Sequence, residues 1–151
     1  MNRIGIFVDV QNIYYTTKQA YGRQFNYRKL WEKVNLGGEI VIANAYAIHS
    51  GDERQLKFQK ALKHIGFNVR LKPYIQRRDG SAKGDWDVGI AIYVLDASLY
   101  VYSVLLLSGY GYFDLLLDRV MIRSNFSSEF FVFNYLTSIS LFISAIFFHP
   151  I

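Results

Sequence analysis

The chain has 151 residues, 52% hydrophobic and 17% aromatic, with a formal net charge of +5. That length fits a single domain over residues 1–151 with room for a buried core. The absence of cysteine excludes a disulfide framework and a thiolate metal site, and is compatible with a reducing cytoplasm. Fifteen of the seventeen Lys and Arg residues lie at or before Lys83. This asymmetry suits an acidic polymer such as RNA or DNA, and suits equally a set of solvated helix faces.

Met1-Asn2-Arg3 leads directly into Ile4–Val8, a short apolar run, β-branched and aromatic, with no polar alternation. It predicts a buried strand. The run is too short for a signal peptide and ends in Asp9. A short helix is expected from Asn12 to about Tyr21. Asn26 is placed to cap a helix over Tyr27–Val34, ended by Leu36-Gly37-Gly38. Ile40–Ile48 predicts a second strand. Asp52 can cap a helix running to His64-Ile65, with Gly66 as its stop. Asn68–Ile75 predicts a third strand, in which Pro73 points to an edge or a strand end.

Gln76–Gly84 is polar, basic and glycine-containing, the pattern of a surface loop. Asp85–Ala97 then predicts a helix with Val88, Ala91, Ile92 and Leu95 inward, and Tyr102–Leu107 a fourth strand. Tyr112–Val120 is expected to be helical. The alternation of strand and helix predicts an α/β fold, a three-layer α/β/α sandwich with a mostly parallel central sheet. From Phe130 to Phe148 no residue is charged. Such a stretch approaches the about 20 residues of a membrane span. Asn134, Thr137, Ser138, Ser140 and Ser144 interrupt it, which favours a last strand near Phe130–Phe133 and a packing helix near Ser138–Phe147. Stable membrane association is not expected, and burial of the aromatic tail against a second copy would make a homodimer.

Asp9 is the first candidate for chemistry. A buried strand that ends in a carboxylate must present the charge to solvent, a partner or a metal, and the carboxyl ends of parallel strands are where open α/β sheets bind ligands. Asn12 either contacts a phosphate or water beside Asp9, or caps the following helix. Asp85 and Asp87 stand at a helix start, where a carboxylate complements the helix dipole. Asp85 fits the cap position, and Asp87, further into the first turn, is the preferred ligand. Lys83, Arg77 and Arg78 are cations that can hold a phosphate, or solvated loop residues. Ser108-Gly109-Tyr110-Gly111-Tyr112 is a glycine-rich turn with amides suited to a phosphate, or simply a turn. No Walker-type loop and no Rossmann glycine motif follows the first strand, and the three histidines lack metal spacing.

Three blocks in order, Phe7-Val8-Asp9-Val10-Gln11-Asn12, Lys83-Gly84-Asp85-Trp86-Asp87-Val88 and Leu106-Leu107-Ser108-Gly109 with Phe113 after it, resemble the NYN domain. NYN domains are a branch of the PIN-like nuclease superfamily, and the likeness is greatest to LabA-like bacterial proteins. The resemblance spans nearly all of Met1–Val120. It implies a Rossmann-like α/β sandwich that cuts RNA with Mg²⁺ or Mn²⁺ held by a cluster of aspartates, and a cytoplasmic location is expected. Carried onto this sequence, it implies Asp9 and Asp87 as catalytic and metal-binding residues and Asn12, Lys83 and Ser108 as substrate contacts, and the basic residues Arg77 and Arg78 are expected to hold the RNA strand with Lys83.

The third block of such proteins usually reads Ser-Gly-Asp-x-Asp-Phe. Here both aspartates are tyrosines, Tyr110 and Tyr112, and Asp114 just beyond them is the substitute metal ligand. A neutral phenol is a poor ligand for Mg²⁺, and a two-metal clamp would be hard to assemble. Three explanations follow: an RNA-binding or oligomerising module that does not cut, a nuclease with a rearranged site, or two tyrosines each one base change from a functional parent.

Overall fold

The computed structural model describes residues 3–22, 24–49, 51–73, 75–76, 82–83, 86–108 and 130–132. In chain order the elements are β1 (Arg3–Asp9), α1 (Val10–Tyr21), α2 (Tyr27–Leu36), β2 (Glu39–His49), α3 (Glu53–Ile65), β3 (Asn68–Pro73), β4 (Ile75–Gln76), β5 (Ala82–Lys83), α4 (Asp87–Ala97), β6 (Ser103–Leu107) and β7 (Phe130–Val132). Five of the strands form one sheet in the order β3-β2-β1-β6-β7. Every neighbouring pair in it is parallel.

The chain steps outward from β1 to β2 to β3, then returns past β1 to lay down β6 and β7. Crossovers between parallel strands keep one hand, so reversing direction moves the connecting helix to the opposite face. Ile13 of α1, Leu30 of α2 and Leu62 of α3 accordingly pack on one face, against Ile4, Ile6, Val8, Ala45 and Leu107. Ile90, Val94 and Ala97 of α4 pack on the other, against Phe7, Tyr46, Val104 and Leu106. This is the expected three-layer sandwich. The central position of β1 explains its unbroken apolar run, because Ile6, Phe7 and Val8 are all fully buried. Each such side chain contributes roughly 1.5–3 kcal/mol of transfer free energy. The expected strand in the uncharged C-terminal stretch is present as β7, paired to β6. Residues 138–147 and 112–120, both expected to be helical, lie outside the described residues.

Local signals set the helix starts. Asn26 caps α2 by accepting from the Lys29 amide at 3.0 Å. Asp52 caps α3 through the Arg54 amide at 2.9 Å. Gly66 ends α3 with φ +135°, a backbone that side chains rarely adopt.

Several expectations need correction. The helix after β1 is capped by Asp9, not by Asn12, since it begins at Val10. The third strand stops at Pro73, whose ring cannot donate a ladder hydrogen bond. The segment around Gln76–Gly84 is not all loop, because β4 and β5 pair antiparallel, Ile75 with Lys83 and Gln76 with Ala82. Finally, α4 begins at Asp87 with Trp86 in the cap position and no side-chain cap from it; Asp85, expected to cap this helix, lies outside the described residues. The rotation of α4 also differs: Ile90, Val94 and Ala97 point inward, while Val88 (71%) and Ile92 (54%) are exposed. The helix is apolar nearly all round, so periodicity alone gives it no preferred face. Its rotation is set by Trp86, described below.

Candidate functional site

The site lies at the carboxyl edge of the sheet, between β1 and β6. Connections leave these two strands in opposite directions, which opens a crevice at such a switch point. Val8 pairs with Leu107, so the residues that follow, Asp9 and Ser108, stand side by side at the strand ends. Asp9 is only 5% exposed and Ser108 is fully buried.

Asp9 is held in this setting by the helix it starts. Its Oδ1 accepts from the Asn12 amide at 3.4 Å, and its Oδ2 accepts from the Asn12 side-chain Nδ2. The positive end of the α1 dipole adds to both. Asn12 is therefore an orienting residue for Asp9, and the expected proximity of the two is present. The carboxylate also reaches a neighbour that motif reading missed. Tyr27, buried at the start of α2, has its phenol pushed far above the usual range, first by burial and then by the negative charge of Asp9. The phenol thus stays protonated beside the carboxylate. Asn26 fixes Tyr27 at the first position of α2, which is legible in the sequence, but its approach to Asp9 is a tertiary matter.

The second block meets the first through Trp86. Its indole Nε1 donates to the Ala47 carbonyl at 2.8 Å. Ala47 follows Tyr46, and Tyr46 is the register partner of Asp9. The bond therefore ties the start of α4, whose first residue is Asp87, to the sheet edge that carries Asp9. The indole also rests against Tyr46, with ring centroids 5.1 Å apart. Gly89 makes room for it, because a Cβ there would lie 2.7 Å from Trp86 Cε3. Motif reading centred on the acids and passed over this indole and its glycine; the spacing Trp86-x-x-Gly89 was the available signal.

The remaining expected site residues divide by what is described. Lys83 ends β5, and its side chain, like that of Asp87, lies outside the described residues. Arg77, Arg78, Tyr110, Tyr112 and Asp114 lie outside them entirely. Among the described residues no three of His, Asp and Glu converge. The oxygen donor at this edge is the buried Asp9 carboxylate, held by Asn12, with Ser108 at the end of the neighbouring strand. Mg²⁺ is ordinarily held by one or two carboxylates with waters and substrate phosphates, not by an all-protein cage. This donor set fits a hydrated hard cation of that kind.

The sequence matches the NYN domain over residues 3–150. The chain belongs to the NYN domain family. A NYN domain carries a PIN-like, nuclease-type fold, in agreement with the sandwich and its acidic strand end. The chain is similar to a protein of unknown function from Vibrio parahaemolyticus RIMD 2210633, known from its crystal structure. The two are 46% identical, with a TM-score of 0.82 over 94% of this chain and 88% of that one. No curated protein matches. No helix among the described residues is long and apolar enough to cross a membrane.

Proposed function

We propose that this NYN domain is a metal-dependent RNA nuclease of the PIN-like type, acting in the cytoplasm. The observation that carries the proposal is Asp9, a nearly buried carboxylate at the end of the central strand in the switch-point crevice. Mg²⁺ or Mn²⁺, held through Asp9 and Asp87 with Asp114 in support, would supply Lewis-acid activation of a phosphoryl oxygen and of water. The chain's own residues have distinct parts. Asp9 supplies the fixed negative charge, Asn12 holds its orientation beside the substrate, and Ser108 contacts the substrate. Lys83, Arg77 and Arg78 hold the RNA backbone. The LabA-like likeness of the three blocks supports the same assignment.

A second proposal rests on Tyr110 and Tyr112, which stand where related sequences usually carry two aspartates. In it the domain binds RNA without cutting it, the tyrosines stacking on bases at about 1–3 kcal/mol each, and the apolar C-terminal stretch pairs with a second copy. One experiment separates the two. Labelled single-stranded RNA is incubated with Mn²⁺ or Mg²⁺ and the wild-type chain, Asp9→Asn, or Tyr110→Asp/Tyr112→Asp. Cleavage by wild type that Asp9→Asn abolishes supports the nuclease. Cleavage only after the tyrosines are replaced supports the binding module, and salt-dependent binding with no cleavage in any variant does so too.

A further inference from the structure

The outward face of α1 carries two exposed tyrosines beside the candidate site. Tyr14 is 46% exposed and Tyr15 60%. Their rings meet edge to face, with centroids 5.4 Å apart and planes at 77°. The Lys18 ammonium lies 5.5 Å from the Tyr14 ring centroid and donates to its hydroxyl at 3.4 Å. The helix buries its other face through Val10, Ile13 and Thr17, so neither ring is needed for the core. At 3.6 residues per turn, Gln11, Tyr14, Tyr15 and Lys18 fall within an arc of about 100°, and all four are exposed. From Val10 to Tyr21 the helix has no Asp or Glu, and Lys18 is its one charged residue.

Helix geometry locates the pair relative to Asp9. Asp9 caps α1, and Tyr15 stands roughly 9 Å further along the axis. Helical side chains lean toward the N-terminus, here toward the carboxyl edge of the sheet. Tyr15 also lies one turn beyond Asn12, a spacing that makes helical residues neighbours, and Asn12 holds the Asp9 carboxylate. The chemistry of this face selects its occupant. Exposed rings beside a cation, on a helix without carboxylates, suit a polymer of flat bases and negative phosphates. Nearly perpendicular rings offer separate faces, so each can take a base splayed from a single strand, whereas a duplex keeps its bases stacked inside. A second copy fits less well. The two rings expose roughly 200 Å², against about 800 Å² per partner in a standard protein interface, and a symmetric copy would set its own Lys18 against this one.

We propose that Tyr14 and Tyr15 are a base-stacking platform that holds a single-stranded RNA on α1 next to the Asp9 crevice. The inference rests on the RNA-nuclease reading above and adds to it a base-binding position, apart from the backbone contacts of Lys83, Arg77 and Arg78 and from Tyr110 and Tyr112. Every base has a π face, so stacking tolerates any sequence. The platform therefore selects for strandedness and not for sequence.

The test is binding of a fluorescein-labelled single-stranded oligouridylate to the full chain, in chelator so that the RNA stays intact, with circular dichroism confirming that each variant is folded. Tyr15→Ala should weaken binding about 5- to 150-fold, the loss of one stacked base. Tyr14→Ala should fall in the same range, and Tyr15→Phe should bind as wild type does, since the ring and not the hydroxyl stacks. The slope of log affinity against log salt should be unchanged in Tyr15→Ala, because no phosphate contact is lost. A labelled abasic ribose-phosphate oligomer should bind wild type and Tyr15→Ala equally. Equal oligouridylate affinity in wild type and in Tyr14→Ala/Tyr15→Ala overturns the inference and leaves the nuclease reading standing, as does a loss in Tyr15→Ala that comes with a lower salt slope. A wild-type dimer in sedimentation that Tyr15→Ala converts to a monomer assigns the face to a second copy and also overturns the inference. Failure of the wild-type chain to bind the RNA at any salt overturns both.

Discussion

Replacing Gly89 with alanine should destabilise the protein, although alanine is the better helix former. In a helix interior the exchange is normally worth about 0.8–1.0 kcal/mol in favour of alanine. Here the new Cβ would stand 2.7 Å from Trp86 Cε3 and 3.2 Å from Cζ3. Those atoms belong to a rigid ring held by its bond to the Ala47 carbonyl and by contact with Tyr46. Overpacking of this kind typically costs 1–3 kcal/mol. If the ring moves instead, the lost hydrogen bond costs about 1 kcal/mol. Overpacking less the propensity gain leaves a net loss of up to about 2 kcal/mol. Urea unfolding followed by far-ultraviolet circular dichroism would measure it, with an unchanged m-value showing that the midpoint shift reports stability. In a Trp86→Leu background the obstacle is gone, and Gly89→Ala should then stabilise by about 1 kcal/mol. Stabilisation by Gly89→Ala with Trp86 intact would refute the reasoning.

Asp9→Asn should abolish RNA cleavage while changing stability by less than about 1 kcal/mol, because asparagine caps a helix nearly as well as aspartate; parallel cleavage and urea-unfolding measurements check it. Tyr27 gives a pH dependence with a definite sign. Its folded-state pKa is raised above the ordinary phenol value near 10, so its contribution to stability is fully present below that pH and is lost as the pH rises beyond it. Phenolate absorbance in an alkaline titration should show Tyr27 ionising only together with unfolding, and Tyr27→Phe should make the chain more resistant to alkali. Gly66→Ala should destabilise by about 1–3 kcal/mol, since a Cβ there would lie 2.7 Å from the Trp31 ring at a φ of +135°; thermal unfolding would register the loss.

The sequence by itself determined the alternation of elements, the caps at Asn26 and Asp52, the glycine stop at Gly66 and the strand-ending Asp9. These are local signals: apolar runs, cap chemistry and backbone permissiveness act within a few residues, so they are legible in a single chain. It also carried the three ordered blocks that mark a NYN domain. Tertiary structure decided the rest. The rotation of α4 could not be read from an all-apolar helix; a hydrogen bond spanning 39 residues, from Trp86 to Ala47, fixes it. The cap of α1 passed from Asn12 to Asp9 because the strand runs into the helix without a break. Strand order brought Ser108 beside Asp9 and placed Tyr27 within reach of its charge. Pairing and packing between distant segments carry no local periodicity, so these contacts exist only once the sheet is assembled.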